Sequence, residues 1–341
     1  RTIDGGAALD DPSIHRDLLS GPHHQQVARD HLIERHVRGG AVLFLEAAMT
    51  ALMINGLVNG IIVGGLYALL GLSLSLLYGV LRVVNFAHGE LVIAGSYVAY
   101  VLFSTFGLSP LAALPLAAIS FFIVGWGAYF VLIPRLSKSD DPESASFLLM
   151  YGFSIAMAAL LLLIFEADSR SIDYSFDPIS IPIGPVNVST ARLVALAVTA
   201  VVSAAMAWFL FRTLPGKALR AATMNREAIQ IVGVNIERLS AFAFALTFGI
   251  AGVTGVLIAL VFPAFGPFSG AEYTIIGFIV IVLGGLGNPM GALIAGIFYG
   301  IAEQMATVFL AQALAQIVGF GMLVVTILVR PTGLFGFRVL R

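Results

Sequence analysis

Apolar positions run along this chain in long, almost charge-free blocks separated by short polar breaks. Thr50–Leu77 is a first such block. Further ones follow at Leu91–Phe106, Leu111–Ile133, Phe147–Phe165, Arg192–Phe211 and Ala241–Phe262, then Thr274–Leu283, Ala292–Ala302 and a last run ending at Val329. At about 1.5 Å per residue, most of these match a hydrocarbon core roughly 30 Å thick. The pattern predicts an all-α, polytopic membrane protein with about eight transmembrane helices, plus or minus two. Within the first block, Gly56, Gly60, Gly64 and Ala68 recur every fourth residue. A row of small residues on one helix face lets a second helix approach closely.

Two breaks stand out. Tyr78–Tyr97, YGVLRVVNFAHGELVIAGSY, places Arg82, Asn85, His88 and Glu90 between apolar runs. Each charged group in hydrocarbon costs roughly 2.5–3.5 kcal/mol on insertion scales, so such a cluster needs a reason. Glu90 is expected to pair with Arg82 or His88. The second break is GGLGNPMG at residues 284–291, where the flanking runs Thr274–Leu283 and Ala292–Ala302 are each too short to cross alone. Paired broken or re-entrant segments, one in each half, mark a transport pathway. Non-helical backbone at that depth is tolerated inside protein or beside water. Asn85, His88, Gly89, Glu90, Gly284, Gly285, Gly287, Asn288 and Pro289 are therefore the pathway or gating candidates. The alternative is that both breaks are tight loops and packing motifs.

Composition sharpens this picture. Of 341 residues, 59% are hydrophobic and 11% charged, against about 25% charged in soluble domains; mean hydropathy is +0.98. Net charge is −1, so no basic field invites nucleic acid. There is no cysteine, which excludes disulfides, thiolate metal sites and a cysteine nucleophile. Five of the six histidines (His15, His23, His24, His31, His36) lie in residues 1–46, at spacings that fit no tight metal motif. That segment reads as a polar, disordered N-terminal tail, and 47–341 as the transmembrane domain. HExxH and GxSxG motifs are absent, which argues against an enzyme. Ionisable residues near the spans are few: Arg82, His88, Glu90, Glu272 and Glu303. So small a set argues against a proton relay or a charged-ring channel. The chain also lacks a Walker A sequence and needs no cofactor of its own.

Orientation follows from short-loop Lys/Arg counts. The 212–238 loop and the C-terminal tail are basic and belong in the cytoplasm. The acidic 166–190 loop, whose SIPIGPVNV alternation suggests a short extended piece, belongs outside together with Glu272. By alternation, 82–90 lies toward the cytoplasmic side and the N-terminal tail outside. The basic stretch LPGKALRAATMNREAIQIVGVN, residues 214–235, predicts one amphipathic helix from Ala218 to Val232, ended by Gly233. It would dock on a partner or lie on lipid headgroups.

Glu227-Ala228 followed by Gly233 resembles the EAA coupling loop of ABC-transporter permeases, with Ile229 in place of the second Ala. YGVLRVVNFAHGE (78–90), LGGLGNPMGALIAGI (283–297) and VRPTGLFG (329–336) resemble the permease subunits of branched-chain amino-acid ABC importers, the LivH type. The resemblance covers about residues 50–341. It implies a permease in the cytoplasmic (inner) membrane, paired with a LivM-like second permease or with itself. Two cytoplasmic ABC ATPases and a periplasmic or lipid-anchored substrate-binding protein would complete the importer. Alternating access would be driven through the 212–240 coupling loop by Gly216, Lys217, Ala222, Glu227, Ala228 and Gly233. Related permeases carry urea or short amides. A stand-alone ion-coupled carrier or channel, and a membrane scaffold, are the competing classes.

Overall fold

The computed structural model describes residues 22–136, 141–174, 180–183 and 186–336. The start of the polar tail with His15, residues 137–140 of one loop, Pro178 and Pro185 of the acidic loop, and the terminal Arg338 and Arg341 lie outside these. Backbone contacts divide the chain into two units, Arg1–Met53 and Ile54–Arg341. In the first, Thr50 Oγ1 donates to the Glu46 carbonyl at 2.8 Å, a helical back-bond. Everything below belongs to the second.

Uncharged, Leu/Ile/Val-rich blocks satisfy their own backbone as helices. The described chain is accordingly helical, with α1 (Pro22–Leu81), α2 (His88–Phe106), α3 (Pro110–Leu136), α4 (Pro142–Phe165), α5 (Thr190–Arg212), α6 (Leu214–Met224), α7 (Arg226–Ile231), α8 (Ile236–Val261), α9 (Gly270–Gly284), α10 (Pro289–Phe309) and α11 (Gln312–Val329). Eight helical segments among the described residues are long and apolar enough to cross a membrane. The shorter α11, of 18 residues, adds a further apolar rod of about 27 Å. This is a multi-pass membrane protein.

Three boundaries differ from the sequence reading. The helix expected from Thr50 begins at Pro22, and its apolar part runs from Phe44 to Leu81. α9 has 15 residues, and a 3₁₀ turn at Pro267–Ser269 extends it backward. α10 does not stop at Ala302 but continues through Glu303 to Phe309, 21 residues in all. The length argument for a pair of half-helices around 284–291 is thereby corrected: this break is a tight turn between two long helices. The acidic loop holds the expected extended piece, an antiparallel hairpin of β1 (Ser180–Ile183) and β2 (Val186–Ser189). Arg170 and Phe265 exchange backbone hydrogen bonds at 2.9 and 3.0 Å, tying that loop to the one after α8.

The core forms around α1 and α8, held by backbone-to-backbone approach. The Gly56–Ala68 row of α1 meets Gly296, Ile297, Gly300 and Ile301 of α10. A Cβ at Gly60 would stand 2.7 Å from the Ile301 Cα, and one at Gly64 2.8 Å from the Ile297 carbonyl. Gly95 of α2 lies against Gly252 of α8, and Ser96 Oγ donates to the Gly255 carbonyl at 2.7 Å. Between lipid-embedded helices, van der Waals fit and such interhelical hydrogen bonds replace the hydrophobic effect as the cohesive force.

Candidate functional site

The chain leaves helix at Leu81. Arg82 takes a positive φ of 57°, a conformation few non-glycine residues adopt. Its exposed guanidinium lies 5.8 Å from the centre of the Tyr78 ring. From Val83 to Ala87 the backbone is irregular and then enters α2 at His88. Asn85, His88 and Glu90 are all buried. Irregular backbone inside a bundle needs local partners, and they are present. Asn85 Oδ1 accepts from Ala87 N at 3.0 Å. Thr274 of α9 accepts from Gly89 N through Oγ1 and donates from the same hydroxyl to the Phe86 carbonyl, both at 3.0 Å. Gly89 is demanded here, because a Cβ would strike the Gly270 carbonyl and Thr274.

The expected pairing of Glu90 with Arg82 or His88 does not form. His88 Nε2 shares a hydrogen bond with Ser73 Oγ of α1 at 2.9 Å, and Thr247 of α8 donates to the Ser73 carbonyl at 3.3 Å. Glu90 instead lies against Gly270 at the N-terminus of α9, where aligned peptide dipoles favour negative charge. Among the described residues Asn85 Nδ2, His88 Nδ1 and Glu90 Oε2 have no hydrogen-bond partner. Phe86 packs edge-on or tilted among Phe147, Tyr151 and Phe278, with ring centroids 4.6, 6.3 and 5.0 Å away. Beside this break opens a cavity of about 570 Å³ lined by Tyr78, Arg82, Val84, Ser144, Ser146 and Phe147.

The second break lies elsewhere. Gly285 and Gly287 have φ of 94° and 77°, and Asn288 caps α10 by accepting from Gly291 N at 3.1 Å. Pro289 follows as the first helical residue. Asn288 Nδ2 donates to the Phe335 carbonyl at 2.8 Å, and Leu334 N donates to the Leu283 carbonyl at 2.8 Å. Gly284 packs on Gly291 and Ala292, and Gly287 touches Gly79 near the end of α1. The sequence groups the two breaks together, whereas the fold separates them. Fourteen helical steps of α9, about 21 Å, separate Gly270, beside Glu90, from Gly284 at the turn.

Gly79 also faces Thr223, so the 285–288 turn sits beside the basic stretch. Its expected single helix is two. α6 begins at Leu214, and α7 starts afresh at Arg226 because Asn225 Oδ1 accepts from Glu227 N and Ala228 N at 3.0 and 2.9 Å. Gly233 ends it with a φ of 83°, as the sequence reading expects. Gly216, Leu219, Ala222 and Ile229 face inward; a Cβ at Gly216 would strike the Phe209 carbonyl. Lys217, Glu227, Ala228 and Gly233 are exposed. So are the apolar Met224, Ile231 and Val232, at 81%, 86% and 74%. The six coupling candidates thus divide into an anchoring pair, Gly216 and Ala222, and an outward-facing four.

Residues 56–327 match the family described as "branched-chain amino acid transport system / permease component". The chain belongs to that family. Among relatives, it is 28% identical to the high-affinity branched-chain amino acid transport system permease protein BraD of Pseudomonas aeruginosa and 27% identical to the LivH protein of Escherichia coli. Each match covers 82% of this chain and 94% of the relative. It is 30% identical to a probable branched-chain amino acid transport permease protein LivH of Methanocaldococcus jannaschii, over 82% of this chain and 91% of that one. No solved structure matches. This family member is therefore a transport subunit whose helices carry the cluster, turn and basic double helix described above.

One polar group escaped the list of site candidates. Glu303 of α10 is buried, with Tyr299 Oη donating to its Oε1 at 3.3 Å and the Tyr67 hydroxyl also hydrogen-bonded to it. Nearby, Gln316 Nε2 donates to Glu272 Oε1 at 2.6 Å. In sequence Glu303 reads only as an interruption of an apolar run, because its partners come from α1 and from one turn back on α10. The signal available was the carboxylate itself at membrane depth.

Proposed function

We propose that this chain is the permease of an ATP-driven importer in the cytoplasmic membrane, moving branched-chain or closely related amino acids by alternating access. It has no nucleotide site of its own and works with two cytoplasmic ABC ATPases, a second permease (LivM-like, or another copy) and an external substrate-binding protein. The observation that carries this reading is the exposed face of α6 and α7. There Glu227 and Ala228 stand among uncovered Met224, Ile231 and Val232, while Gly216, Leu219 and Ala222 press the other face onto the spans. An apolar patch on a basic, exposed element fits a protein partner. The names of the relatives supply the substrate class. Asn85, His88, Gly89 and Glu90 are the proposed gate. Gly284, Gly285, Gly287, Asn288 and Pro289 form the proposed link between coupling helices and bundle, beside the pathway rather than in it.

Gly233→Trp and Glu227→Lys test the reading in proteoliposomes holding the whole transporter. Nothing lies within 4 Å of a Cβ at Gly233, so Trp meets strain from the positive φ but no internal clash. Both variants are expected to insert normally and to lose ATP-dependent leucine uptake at least tenfold, with less ATPase co-purified. Full uptake in both, or urea carried in place of leucine, overturns the assignment.

A further inference from the structure

Two cavities beside α1 and α10 share a wall and carry opposite charge. The larger, about 440 Å³, is lined by Arg192 and Asn59 together with the aliphatic Ile62, Val63 and Val261. The smaller, about 50 Å³, is lined by Glu303, Glu272, Tyr67 and Tyr273. Phe262, Gln304 and Thr307 line both. The first volume falls within the range of about 300–1,000 Å³ typical of small-molecule sites. The second exceeds the roughly 10–15 Å³ that one water-sized group needs.

The polar groups in the two cavities are incompletely satisfied. Glu303 is 6% exposed, and its Oε2 has no hydrogen-bond partner among the described residues. A carboxylate oxygen left bare at membrane depth is costly until something donates to it. Arg192 extends from the start of α5 and gives one Nη1 hydrogen bond, 2.8 Å long, to Asn59 Oδ1; Asn59 Nδ2 is taken up by Asn55 Oδ1 at 2.6 Å. Asn59 thus orients the guanidinium, whose five donors in a planar fork suit a carboxylate.

We propose that the two adjoining cavities, which share Phe262, Gln304 and Thr307, together hold a zwitterionic amino acid. Its carboxylate lies on Arg192, its ammonium on Glu303 beside the Tyr67 hydroxyl, and its branched aliphatic side chain against Ile62, Val63 and Val261. The proposal rests on the amino-acid permease reading above and assigns that permease a substrate site. Arg192 and Glu303 would select for a molecule carrying both charges, and the aliphatic wall for an apolar side chain. Urea and short amides can hydrogen-bond at either end, but they bring neither charge nor a branched aliphatic chain to fill the wall.

The test uses the assembled transporter in proteoliposomes with saturating binding protein and radiolabelled leucine. Arg192→Gln and Glu303→Gln are each expected to lower the maximal uptake rate at least tenfold. KM should hold, because external capture is set by the binding protein, and binding-protein-stimulated ATPase should stay within twofold of wild type. Arg192→Lys, which keeps the charge but not the fork, should recover part of the rate. Glu303 is buried, so Glu272→Gln at the exposed rim of the smaller cavity supplies a second variant, expected to lose several-fold. Undiminished uptake in Arg192→Gln and Glu272→Gln overturns the site. So does a parallel fall of uptake and stimulated ATPase in Arg192→Gln, which assigns that residue to folding or coupling. A wild-type transporter that never moves leucine defeats the permease reading instead.

Discussion

Thr274 illustrates how single side chains support a broken helix here. One hydroxyl serves Gly89 N and the Phe86 carbonyl, two backbone groups at the break that the helix itself does not pair. Thr274→Val keeps the shape and strands both, a loss of about 1–3 kcal/mol for a buried unsatisfied group. The solubilised protein should melt earlier in a thermal aggregation assay, and Thr274→Ser should restore the melting temperature. The need for such a residue was legible at Asn85–Glu90, because polar groups amid apolar blocks announce a break. The partner was not legible, since Thr274 is far along the chain and an isolated Thr in a span carries no signal. Glu303 was obscured for the same reason. Its stabilising hydroxyls come from Tyr67 and Tyr299, and tyrosines in spans read equally well as packing residues.

At the level of elements, local periodicity was the reliable guide and local helix propensity the poorer one. The four-residue spacing of Gly56, Gly60, Gly64 and Ala68 forecast a close helix neighbour, and α10 occupies that place. A side chain at Gly300 would collide with Gly64 of α1. Gly300→Leu therefore forces the pair apart, costing about 1–3 kcal/mol or more by overpacking. The expected result is a lower unfolding midpoint in detergent and weaker cross-linking between cysteines placed at positions 60 and 301. By contrast, propensity alone ran one helix from Ala218 to Val232. Asn225 splits it by offering its own oxygen to the next helix's first amides, a gain typically near 1 kcal/mol that propensity differences do not match. Hydropathy erred similarly at Ala302, where a charged residue paired inside the bundle does not end a helix.

For the whole molecule, the set of apolar spans was readable because it depends on block lengths, while the side each loop faces rests on charge counts and is open to a direct test. Those are properties of the sequence, whereas the cavities arise from side chains that only tertiary folding brings together. The chain contains no cysteine, so single-cysteine labelling has no background. In intact cells, Asp173→Cys in the acidic loop should react with a membrane-impermeant maleimide, and Lys217→Cys only after the cells are opened. Reversed reactivity would place α6 and α7 outside and remove the proposed ATPase contact.

The glycine seam between α1 and α10 has a mechanical corollary. With backbone pressed directly on backbone at Gly60, Gly64 and Gly300, the two rods would tend to move as one stiff lever, reaching from Gly79 beside Thr223 to Asn59 and Gln304 at the far cavities. A thrust on α6 would then have fewer side-chain rotamers in which to dissipate before it reached the opposite end.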